Sequence, residues 1–88
     1  MGYEIRTTSF FDKKLSKKLK KKPDLKLKIN KQLDFLREDL KHPSLKLHKL
    51  VGRRAEEYSF WIVGNLRITF VIIEDIILLT DLITHDEY

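Results

Sequence analysis

The chain has 88 residues, no cysteine, and 18 Lys and Arg against 13 Asp and Glu, for a formal net charge of +5. That length allows one domain, residues 1–88, near the lower size at which a chain buries enough surface to fold unaided. The lack of cysteine excludes disulfides and cysteine-ligated zinc.

The longest apolar runs are strand-length and interrupted by charge, so no transmembrane helix is expected. The N-terminus MGYEIRTTSFF lacks the apolar stretch and small-residue cleavage site of a signal peptide, and a cytoplasmic location is expected by default. Most lysines lie before residue 50. Such a balance suits an anionic partner, either nucleic acid or an acidic protein segment, and does not choose between them. A lysine-rich solvated surface accounts for it equally well.

Tyr3, Ile5 and Thr7 alternate with Glu4 and Arg6, which predicts a short first strand at a sheet edge. Ser9 is placed as an N-cap with Asp12 three residues on. A helix from about Phe10 then lines up Phe11, Leu15 and Leu19 on one stripe, and ends before Pro23. A second stripe, Leu25, Ile29, Leu33, Leu36 and Leu40, predicts an amphipathic helix of about four turns, stopped by His42-Pro43. The segment SLKLHKLVGRR is expected as a short strand or extended arm leading into a loop at Gly52. It would bring Lys46, His48, Lys49, Arg53 and Arg54 near the open face of the sheet.

The stretch from Glu57 to Tyr88 predicts an antiparallel meander of three strands. Gly64-Asn65 separates SFWIV from LRITFVII, and Glu74-Asp75 separates that run from IILLTDLI. With two-residue loops, Arg67, Thr69 and Val71 share a face with Leu78, Thr80 and Leu82, and Ile68, Phe70 and Ile72 share the other with Ile77, Leu79 and Ile83. The second face needs the helical hairpin as its cover. The first keeps Arg67 and a Thr69/Thr80 cross-strand pair and stays wet. Asp81 falls on the nominally buried face, which points to a bulge or a strand end. The fold class is α+β, in the order β-α-α-β(3-4), with an antiparallel sheet packed on an N-terminal helical hairpin.

There is no glycine-rich phosphate loop, no metal-ligand spacing and no nucleophile motif. What the chain does hold suits metal-independent RNA cleavage: histidines to move protons near neutral pH and an arginine matched to phosphate geometry. His48, Arg67 and His85 fit those tasks by type. Each has a second reading: His48 as an exposed residue of a basic arm, Arg67 as a strand-end cation paired with Glu57 or Asp81, His85 as part of a frayed tail. Trp61 reads as core or interface before it reads as a platform for a base.

The succession LHKLVG, EYSFWIVGNLRITF and IILLTDLITHDEY resembles the RelE/ParE superfamily of toxins, and within it the RelE and YafQ type of messenger-RNA interferase. The resemblance covers essentially the whole chain, and its most specific parts are L-x-G followed by S-F-x-I-x-G-N-x-R-I-x-F and the H-D-x-Y-like ending. It implies a RelE-like fold, no cofactor, a cognate antitoxin as partner, and cleavage of messenger RNA, ribosome-bound in the active members. Carried over by residue, it implies His48 as proton acceptor or phosphate contact, Arg67 as transition-state clamp and His85 as general acid, with the acid and base roles of the two histidines open to exchange. Lys46, Lys49, Arg53 and Arg54 would hold the RNA backbone and Tyr88 would orient a base. Two departures stand out: Trp61 occupies the place of a second strand arginine in many relatives, and Tyr88 follows His85 by three residues where four is commoner. The superfamily's other branch implies the alternatives, a ParE-like gyrase-binding toxin or a degenerate member that binds only its antitoxin.

Overall fold

The computed structural model describes residues 2–50, 52 and 56–84. Its elements run β1 (Glu4–Thr7), α1 (Ser9–Lys21), α2 (Leu25–Glu38), a 3-10 turn (Pro43–Leu45), β2 (His48–Lys49), β3 (Tyr58–Val63), β4 (Leu66–Ile73) and β5 (Ile76–Thr84). The five strands form one sheet in the order β1-β5-β4-β3-β2. The meander expected from the sequence is present, and so is a two-residue strand within the basic arm. β1 pairs with β5 in parallel, so the sheet is mixed and antiparallel everywhere else.

Two boundaries differ from expectation. The cap of α1 is Thr8, whose Oγ1 accepts from the Phe11 amide at 3.2 Å, and Ser9 is already helical. Thr8 wins because it is still tied to the sheet: its amide and its hydroxyl both donate to the Leu79 carbonyl, so its backbone stays extended while its side chain closes the first turn. α2 ends at Glu38, four residues before His42. His42 serves the next turn, where its Nδ1 accepts from the Ser44 amide at 3.1 Å and its ring stacks on Phe35 at 3.7 Å.

The helical hairpin covers one face of the sheet, as the two leucine stripes predict. Phe11, Leu25, Ile29 and Leu36 from the helices meet Phe60, Ile62, Ile68, Phe70, Ile77, Leu79 and Leu82 from the strands in one buried cluster. Tyr58 stacks on Phe70 at a centroid separation of 5.6 Å, and Phe60 meets Phe70 at 5.8 Å with the rings tilted by 58°. Removing a buried ring such as Phe70 would cost about 3–5 kcal/mol.

The bulge expected near Asp81 exists and is centred on Thr80. Phe70 pairs with Leu79, but Thr69 pairs with Asp81, leaving Thr80 as the extra residue. The shift corrects the expected faces beyond it: Leu82 now pairs with Ile68 and joins the core, while Ile83 pairs with Arg67. β1 stops pairing with β5 at Leu79, and α1 packs along β5, where Lys14 Nζ meets Asp81 Oδ1 at 2.9 Å. No helix among the described residues is long and apolar enough to cross a membrane.

Candidate functional site on the uncovered sheet face

Parity sets the site. Ile68 and Phe70 point into the core, so Arg67 and Thr69 point the other way, joined by their cross-strand partners Trp61 and Ser59 on β3. His48 on β2 pairs with Ser59, which places His48, Ser59 and Thr69 in one row across three strands. Lys49 pairs with Tyr58 and so falls on the opposite parity from His48.

Arg67 is 7% exposed. Its Nε donates to Ser59 Oγ at 2.9 Å, and its Nη2 donates to the carbonyls of Ser59 and Lys46. The guanidinium therefore reaches over β3 to the segment just before His48 and fastens the basic arm to the middle of the sheet. A buried cation has to be hydrogen-bonded to be tolerated, and these acceptors do that.

Lys46 has left-handed backbone (φ 46°), an uncommon state for a residue with a Cβ. It is held from both ends: its amide donates to the Pro43 carbonyl and its carbonyl accepts from Arg67. Its exposed ammonium lies 4.4 Å from the centre of the Trp61 ring. Trp61, half-buried on this face, is fixed in turn by its indole N–H donating to the Gly64 carbonyl at 2.8 Å. Gly64 itself has φ 57°, which is why a glycine stands at that turn.

Sequence reasoning missed Gln32. It is 4% exposed on α2, and its Nε2 donates to the carbonyls of Ser44 at 2.9 Å and Trp61 at 2.8 Å. β2 pairs only with Tyr58 and Ser59, so Gln32 takes over as donor where the strand ladder stops. A polar residue inside the α2 stripe was the available signal. The expected Thr69/Thr80 pair is present at 2.8 Å between hydroxyls, and Thr80 also donates to the Glu57 carboxylate.

Of the residues singled out in the sequence, Lys46, His48 and Arg67 come to the uncovered face, the first two exposed and the third buried, bonded to the Lys46 carbonyl and to Ser59, the partner of His48. His85, Tyr88, Arg53 and Arg54 lie outside the described residues. The last described strand residue, Thr84, pairs with Leu66, next to Arg67 in the sequence. The chain therefore leaves β5 at the end of the sheet where Arg67 and Trp61 lie. The centre of this face is not wet as expected: Ser59 and Thr69 are fully buried and Arg67 nearly so, packed under their neighbours. The Lys46 ammonium and the His48 imidazole are left exposed, a pair able to meet a phosphodiester and to move a proton beside it.

No protein-family model and no curated protein matches the sequence. Solved structures do match. The E. coli DinJ-YafQ complex is 14% identical, with 97% of this chain and 96% of that one covered and a TM-score of 0.78. The YoeB-YefM complex from Staphylococcus aureus is 17% identical over 97% and 99% of the two chains, with a TM-score of 0.75. A YoeB/ParE toxin from Agrobacterium tumefaciens is 14% identical over 93% and 98%, with a TM-score of 0.77. At these identities the likeness is one of fold, and it extends from end to end. The RelE-like architecture expected from the sequence is the observed one.

Proposed function

We propose that this chain is the toxin of a toxin–antitoxin pair and that it cleaves ribosome-bound messenger RNA by metal-independent acid–base chemistry. The observation that carries the reading is the sheet face left uncovered by the helices, where exposed His48 pairs with Ser59 and the Arg67 guanidinium donates to that same serine's hydroxyl, on a fold shared with YafQ and YoeB.

In this mechanism one of His48 and His85 takes the proton from a ribose 2′-hydroxyl, and the oxygen attacks the adjacent phosphorus. The other histidine protonates the departing 5′-oxygen, so the products are a 2′,3′-cyclic phosphate and a 5′-hydroxyl. Arg67 adds positive potential under the phosphorane from a site where low dielectric strengthens it. Lys46, Arg53 and Arg54 hold the RNA backbone and Tyr88 orients a base, while Lys49, expected in this set, is left out because it falls on the opposite parity from His48. YafQ has been solved with DinJ and YoeB with YefM. For this chain the proposed partner is an acidic antitoxin laying a helix or extended segment along the basic surface, its association hastened by the net charge of +5.

The test is induction of the wild-type chain with primer-extension mapping of transcripts, beside His48→Gln and His85→Gln. Translation arrest with breaks in ribosome-bound transcripts is expected, and each substitution should lower cleavage by about 10²–10⁴-fold without changing the melting temperature. Arrest with intact transcripts and DNA-damage signalling would move the chain to the gyrase-binding reading. No toxicity, with antitoxin binding retained, would make it a degenerate member.

A further inference from the structure

We infer that the cation contacting the scissile phosphodiester on this face is Lys46, and that Trp61 and Arg67 are its positioning residues. The inference rests on the ribonuclease reading and changes which side chain touches the substrate.

Among the described residues, Lys46 and Arg67 are the cationic groups that meet at this end of the uncovered face, and they are built differently. The Arg67 guanidinium is buried, with Nε and Nη2 turned into the protein toward Ser59 and the Lys46 carbonyl. The Lys46 side chain is exposed, yet it is not left to wander as a surface lysine ordinarily would. Its backbone is locked in a left-handed state by Pro43 on one side and Arg67 on the other, a conformation that persists only where the surroundings over-determine it. Its ammonium is parked against the indole of Trp61, which is itself pinned to Gly64 and, through its carbonyl, to Gln32. An ammonium over an indole keeps its charge and gives up part of its hydration, so it meets an incoming phosphate oxygen with less water to displace. The chain runs from Lys46 through Leu47 to His48, so the same short segment carries both the phosphate contact and the imidazole.

A plain staple, holding the 3-10 turn to β3, would use the same contact. The two differ in what they do to RNA. Binding of a short mixed-sequence single-stranded RNA is measured against salt concentration, and single-turnover cleavage of messenger RNA on ribosomes is followed in parallel. The variants are Lys46→Met, which keeps an apolar stem over the ring, Trp61→Phe, Trp61→Ala and the Lys46→Met/Trp61→Ala double.

Loss of one phosphate contact lowers the slope of log affinity against log salt by about 0.7 in Lys46→Met. Cleavage should fall about tenfold or more, with the melting temperature within a few degrees of wild type. Trp61→Phe should fall between wild type and Lys46→Met. The double variant should bind and cleave no worse than Lys46→Met, because the ring acts through the ammonium. An unchanged salt slope and unchanged cleavage in Lys46→Met, with wild type active, would overturn the inference and leave the ribonuclease reading standing. So would losses in the two single variants that multiply in the double. A wild-type chain that neither binds nor cuts RNA would remove both.

Discussion

Gln32→Leu isolates the contribution of one buried amide, because leucine fills a similar volume and opens no cavity. The substitution deletes two hydrogen bonds, to the carbonyls of Ser44 and Trp61, and leaves both acceptors behind. A stranded buried acceptor costs about 1–3 kcal/mol. Ser44 and Trp61 are half-buried, so partial rehydration puts each near the lower end of that range. The added apolar burial returns about 1 kcal/mol. The net loss is about 1 kcal/mol, which for a domain of this size is a fall in melting temperature of roughly 4–8 °C. Urea unfolding should show it as a lower midpoint at constant m-value. Gln32→Glu should cost more than Gln32→Leu, since a carboxylate would face two carbonyl oxygens with no proton to offer. A loss under about 0.5 kcal/mol for Gln32→Leu, or a Gln32→Glu variant as stable as wild type, would refute the claim that this amide stands in for a missing strand donor.

Thr8→Ala removes both the cap on Phe11 and the bond to Leu79, and chemical denaturation should register a loss of about 1–2 kcal/mol, where Ser9→Ala changes little. Glu74 sits in the β4–β5 turn at φ 57°; Glu74→Gly should raise stability by about 0.5–1 kcal/mol, and a loss on thermal melting would show that the turn is held by its side chain instead.

The alternation in residues 57–84 and the two leucine stripes were sufficient to give the meander, the helical hairpin and the face between them, because period-2 and period-3.6 burial are local patterns that leave one choice of inside. Even the bulge was legible, through the misfit of Asp81. Its consequence was not: a residue inserted at Thr80 exchanges the faces of Leu82 and Ile83, and only the pairing with β4 says on which side of the insertion each lies. The cap at Thr8, the amide of Gln32 and the left-handed Lys46 depend on partners 71, 29 and 21 residues away in the chain, and no local pattern carries them. The same holds for the site. Residue type nominated His48 and Arg67, and place in the basic arm brought in Lys46, but which of Lys46 and Arg67 is exposed and which is sunk among carbonyls was decided by the tertiary pairing that folds the arm over Arg67.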